Sequence, residues 1–142
     1  MSKINVLVVR YFLLMLLLLL ITGISMLLLH TSFTLEGFTN YYVQKSVYGL
    51  LEVVTPHLFA MGTVIFILTH FLALKNKNSV LESKLTLLLF TVMLVSNLSV
   101  FFISETMPWL VSVKLISTSL FLLLSLVIMW RVFFRKYWFK IT

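Results

Sequence analysis

The sequence predicts an all-α protein, a four-helix transmembrane bundle with both termini in the cytoplasm, and three observations predict it. The 142 residues are 61% hydrophobic and 11% charged, with a mean hydropathy of +1.13, whereas soluble domains average roughly 45–50% apolar and about 25% charged. Four apolar runs, at about 6–29, 56–74, 80–103 and 108–134, each approach the ~20 residues that cross a ~30 Å hydrocarbon layer. The basic residues gather on one side of those runs. A water-soluble domain is excluded, and residues 1–142 read as a single transmembrane domain. There is no Asp, and the acids are Glu36, Glu52, Glu82 and Glu105, so an acidic or disordered chain is excluded as well. Without Cys the chain holds no disulfide, thiolate metal site, iron–sulfur cluster or C-x-x-C-H haem attachment.

The first run, Val6 to Leu29, contains Leu16 to Leu20 unbroken. It exceeds the ~7–15-residue core of a signal peptide, and no small-x-small cleavage site closes it, so it reads as an uncleaved helix. An external loop, 31–55, follows. It is too short for a domain and carries Phe33, Phe38, Tyr41, Tyr42 and Tyr48, the residue types that collect at membrane–water boundaries. Residues 41–54 fit an interfacial helix or an extension of the second span bent at Pro56, and the sequence leaves both open. The second run has Thr55 as N-cap and Pro56 at the first helical position. The third follows Ser79, which stands three residues before Glu82 as in a capping box. The fourth starts at Pro108. Short connections after the second and third runs make those neighbours antiparallel.

Nine of the eleven basic residues, Lys3, Arg10, Lys75, Lys77, Lys84, Arg131, Arg135, Lys136 and Lys140, lie near the termini or the second connection, leaving Lys45 and Lys114 for the other side. The positive-inside rule then puts both termini in the cytoplasm, in the cell (inner) membrane. In the tail, Trp130, Tyr137 and Trp138 interleave with Arg131 to Lys140, an arrangement suited to anionic lipid headgroups rather than to nucleic acid.

No phosphate loop, G-x-S-x-G, H-E-x-x-H or dinucleotide turn is present, so no catalytic residue is assigned. The informative residues are the ionisable groups in or near the spans, His30, Glu52, His57, His70 and Lys114, because each is costly there. His30 ends the first run, and His57 opens the second on the same side of the membrane. The pair suits haem or another metal held between two helices, or two imidazoles hydrogen-bonded at the interface. His70, thirteen residues after His57, stands about 20 Å further along and about 140° around the helix. Its face carries Thr63 and Phe66, continued by Phe59, Thr55 and Glu52 if the helix persists through Pro56. In the outer half of the third and fourth runs, Asn97 and Lys114 fall at similar depth, with Ser96 and Ser117 nearby. Lys114 either snorkels to the interface or pairs with Glu52 or Asn97, in a layer able to take an anion, a quinone carbonyl or a haem propionate.

The stretch Pro56-His57-Leu58-Phe59-Ala60-Met61-Gly62, ending at Thr69-His70-Phe71-Leu72, resembles the ligand helix of small four-helix b-type cytochrome subunits. That resemblance implies haem b and electron exchange with quinone. Those families often space the two histidines fourteen residues apart, against thirteen here, and the third and fourth runs contain no histidine. The implied arrangement is therefore one bis-histidine haem from His30 with His57, while His70 would need Met15, Met129 or a second protomer.

Three functions are consistent with these residues. The first is a non-catalytic accessory or anchor subunit, embedded in the lipid bilayer and packed against larger membrane partners or its own copies. The second is a b-type haem or quinone-linked electron carrier. The third is a small proton or ion transporter using Glu52, His70 and Lys114.

Overall fold

The computed structural model describes residues 3–31, 34–73, 80–104, 106–107 and 109–133. Among them the elements are α1 (Lys3–Thr31), α2 (Leu35–Val43), α3 (Val47–Ala73), α4 (Val80–Leu98), one 3-10 turn (Ser99–Phe102) and α5 (Trp109–Phe133). Four helices are long and apolar enough to cross a membrane, over Leu7–Thr31, Val47–Leu72, Val80–Phe102 and Trp109–Phe133. The all-α four-span architecture read from the sequence is what the structure has. Lys3, Ala73, Val80 and Phe133 mark one end of the bundle and α2 the other. Ser79 of the expected capping box, Lys75 and Lys77, Pro108, and the basic aromatic tail beyond Phe133 lie outside the described residues.

The second span departs from its expected start. Thr55 and Pro56 lie inside α3, which begins at Val47, nine residues before Pro56. Ser46 accepts the N–H of Gly49 at 3.2 Å and so acts as the N-cap. Pro56 withholds the N–H that would meet the carbonyl of Glu52, yet the helix runs through it. Across 41–54, Tyr41 to Val43 end α2 and Val47 to Val54 open α3, so the second span is extended back to Val47. α2 is capped by Thr34, whose hydroxyl accepts from Gly37 N–H at 3.0 Å. A Cβ on Gly37 would collide with the carbonyl of Thr31, so glycine is needed where α2 folds back on the end of α1.

Two apolar clusters fill the interior. Toward the terminal end, Val9, Leu13 and Leu16 of α1 meet Ile65, Leu68 and Leu72 of α3, Leu89 and Val92 of α4, and Phe121 and Ile128 of α5. The α1 residues repeat at the helical spacing that keeps one face inward, and Phe12 meets Phe71 edge-on at 5.8 Å. At the other end, Phe38 and Tyr42 of α2 cover Leu50, Val100, Ile103 and Val111. α1 touches the bundle near both its ends, while residues 21–26 are exposed all round.

Candidate functional site

Between the two clusters lies a polar layer. Lys114 stands five residues into α5, about 8 Å along its axis, on the side that also carries the buried Phe121 and Ser125. Its Nζ donates to the carbonyl of Ser96 at 2.6 Å and to Ser96 Oγ at 3.0 Å. Ser96 Oγ in turn shares a 2.8 Å hydrogen bond with Thr118 Oγ1, and Ser99 Oγ donates to the Ser96 carbonyl at 3.1 Å. This carbonyl lies where α4 gives way to the 3-10 turn, and a change of winding leaves backbone acceptors free to turn toward side chains. Asn97, 4% exposed, donates to the Met93 carbonyl at 2.9 Å and reaches Met61 Sδ of α3 at 3.6 Å.

Lys114 therefore neither snorkels nor pairs with Glu52 or Asn97. It is bound inward by Ser96. Charge-assisted hydrogen bonds are each worth about 1.5–3 kcal/mol, which favours this geometry over an ammonium facing hydrocarbon. Thr118, one turn beyond Lys114, is the partner that sequence reasoning missed. The signal was present as hydroxyls on both helices at the depth of Lys114.

The histidines occupy different ground. His30 Nδ1 donates to the Met26 carbonyl at 2.7 Å, and His57 Nδ1 to the Val53 carbonyl at 2.7 Å. Because carbonyls only accept, each neutral ring carries its proton on Nδ1 and keeps the Nε2 lone pair free. Phe12 and His30, eighteen residues apart, complete about five helical turns and share one side of α1; His57 and Phe71 come within about 40° on α3. By register, then, His30 lies on the side of α1 that carries Phe12, and His57 within about 40° of Phe71 on α3; those two phenylalanine rings meet toward the terminal end. Both are exposed, and the His30 ring also meets Tyr41 at 5.7 Å. Met129 is buried in the core and Met15 is exposed. His70 is exposed and stacks on Phe66 with 6.5 Å between ring centroids.

The stripe foreseen on α3 is continuous because the helix passes through Pro56. Glu52, Thr55, Phe59, Thr63, Phe66 and His70 are all exposed, opposite the face that buries Leu50, Val54, Ile65, Leu68 and Leu72. Thr63 Oγ1 is bonded within its own helix, to the Phe59 carbonyl at 2.9 Å. Among the described residues no hydrogen bond joins this stripe to another helix. Glu52 and His70 thus lie on the outward face of α3, while Lys114 is bonded inward to α4.

Four apolar crossings define the chain as a small multi-pass helical membrane protein. Residues 32–141 match the model of the Aq_1264_TM family, a transmembrane helical domain, and with more than three quarters of its length matched the chain belongs to that family. The match begins just after α1. No curated protein and no solved structure matches the chain.

Proposed function

We propose that this protein is a non-catalytic accessory or anchor subunit that docks into a membrane assembly through the outward face of α3, with its terminal end in the cytoplasm. The stripe from Glu52 to His70 carries this reading. A carboxylate, an imidazole and hydroxyls turned toward hydrocarbon are costly, and such groups become favourable when another helix supplies hydrogen-bond partners. The nine-to-two division of basic residues supports the orientation. The test uses the absence of Cys: single cysteines at Thr63 and, as control, at Leu123 on α5 are probed in cell membranes with a lipid-phase maleimide. Thr63→Cys is expected to react at least fivefold more slowly than Leu123→Cys. Equal rates would mean that lipid covers the stripe, and would overturn the reading.

A second reading, a b-type haem or quinone-linked electron carrier, is favoured by the shared tautomer of His30 and His57. Nδ1–H bonds to carbonyls orient imidazoles with Nε2 free to ligate iron. Haem bound by them would supply one-electron chemistry; the chain's own part is two imidazoles oriented by their own helices. Oxidised and reduced spectra of protein expressed with haem available test it. A Soret band lost in His30→Ala and in His57→Ala is expected, and no band in the wild type excludes it.

A further inference from the structure

We infer that the helix covering the outward face of α3 is α3 of a second copy, packed in parallel about a two-fold axis along the membrane normal. The inference rests on the docking reading above and names the partner at that surface. Its basis is a seam in the sequence of α3. Glu52, Thr55, Phe59, Gly62, Phe66 and Thr69 follow one another at intervals of 3, 4, 3, 4 and 3 residues. That is the alternation that keeps one line of a helix against a partner in left-handed pairs, the commonest arrangement of transmembrane helices. The seam alternates large and small: Phe59 and Phe66 are 78% and 67% exposed, and Thr55, Gly62 and Thr69 stand between and beside them.

This pattern fits itself. In parallel pairs each knob enters a hole made by four residues of the facing helix, and for Phe59 those are Thr55, Leu58, Phe59 and Gly62 of the second copy. On the same face Leu58, Phe59, Gly62, Thr63 and Phe66 line a shallow, open depression. An isologous contact requires knob and hole on one surface, and here Phe59 is the knob and also one wall of the hole. Gly62 adds a separate argument. Glycine is among the least favourable residues in a helix interior, yet a Cβ at Gly62 would meet nothing within 4 Å. No contact inside the chain requires it. A backbone approaching from outside does. The hydroxyls within the seam point the same way, because a threonine hydroxyl both donates and accepts hydrogen bonds. Thr55 and Thr69, which face their own copies across the seam, can therefore pair with them, which lysine or arginine at those positions could not do.

Single-cysteine variants of the otherwise Cys-free chain, purified and reconstituted in phosphatidylcholine vesicles, test the inference under mild oxidation. Disulfide dimers are expected from Phe59→Cys, Gly62→Cys and Phe66→Cys, with Ala60→Cys and Leu123→Cys at least fivefold slower. Energy transfer between donor- and acceptor-labelled copies is expected in the wild type, and to weaken at least tenfold in Gly62→Leu while helix content and thermal stability stay at or above wild type. Absence of energy transfer, equal crosslinking at all five positions, or a dimer undisturbed by Gly62→Leu overturns it. Lipid-phase labelling in cell membranes separates the two failures. If the purified chain is monomeric but Thr63→Cys is shielded in cell membranes, a different helix covers the face and only the second copy is lost; if Thr63→Cys reacts freely, the docking reading falls too.

Discussion

Two polar regions lie within the membrane-spanning part of this protein, and they are satisfied in opposite ways. In the interior layer, Lys114 of α5 is held by Ser96 of α4, Ser96 by Thr118, and Asn97 reaches Met61 of α3, so the bonds cross between helices. On the outward stripe of α3, Thr63 is bonded to its own helix and His70 stacks on a phenylalanine one turn away. Polar groups in hydrocarbon persist where something satisfies them. The interior layer is thus part of what holds this fold together, whereas the stripe is bonded, among the described residues, only within its own helix. Substitutions in the first should damage folding and spare association, and those in the second should do the reverse.

The interior layer offers the largest effect. Lys114→Met removes two charge-assisted hydrogen bonds at about 1.5–3 kcal/mol each, partly offset because an apolar side chain suits hydrocarbon better than an ammonium. A net loss of about 2 kcal/mol is expected, seen as faster amide exchange over Ser99–Phe102 and lower folded yield, with copy-to-copy energy transfer unchanged per folded molecule. Lys45, whose Nζ lies 4.7 Å over the Tyr41 ring, is the control. Its replacement by Met forfeits a half-exposed cation–π contact worth about 0.5–1 kcal/mol. Equal damage from both would erase the distinction between layer and surface.

The α2 lid above the layer has a pH limit of similar size. Burial, reinforced by the neighbouring Tyr41, pushes the Tyr42 phenol from its ordinary value of 10.0 up to about 12. Ionisation of Tyr42 is thus harder in the folded state than in the unfolded one. The lid is at full strength below about pH 10, and its stability falls as pH rises from 10 toward 12. A shift of this size corresponds to about 2–3 kcal/mol. Tyrosinate absorbance should reveal a late-titrating phenol accompanied by release of α2. In Tyr42→Phe the late titration should vanish, and α2 should stay docked through that range. A titration of Tyr42 complete near pH 10 would mean that the lid is not closed over Leu50 and Val111.

Much of this contrast was legible in the sequence. The four spans follow from apolar length alone, and the line from Glu52 to His70 follows from helical spacing once the helix is continuous. Its continuity was the uncertain step, because Pro56 after Thr55 is the ordinary signature of a helix start. The cap that prevails is Ser46, a weaker signal set among aromatic residues. Lys114 was foreseen at the depth of Asn97 with Ser96 nearby, but its pairing was expected with Asn97 or Glu52. The choice of Ser96 depends on where α4 changes to 3-10 winding at Ser99, a local event without a residue signature. The lid was hidden for a related reason, since Phe38 and Tyr42 read equally well as interfacial anchors and as cover for a core.

On the outward stripe the effects on folding should be small or favourable. Gly62→Leu replaces the poorest ordinary helix former with a good one in open space, so the monomer should gain up to about 1 kcal/mol while the dimer weakens. A stabilised fold with weakened association is the opposite signature to Lys114→Met. Loss of folding in Gly62→Leu would place the residue in the interior and break the comparison.

The smallest expected effect is at Glu52. In a parallel pair it occupies the same position in the seam as Phe59 and Phe66, so two carboxylates approach each other near the α2 end. Like charges at that distance repel, but Glu52 lies only five residues, about 8 Å, from the start of α3, where water and headgroups screen them. Gln has nearly the same shape, carries no charge and can hydrogen-bond to its own copy as donor and acceptor. Glu52→Gln should therefore leave folding unchanged and tighten the dimer by roughly two- to fivefold, the scale of a screened pair worth about 0.5–1 kcal/mol. Energy transfer titrated against protein-to-lipid ratio measures the change. A dimer weakened by Gln would show that the carboxylate receives a lysine or arginine across the seam, so that the facing helix carries chemistry absent from α3.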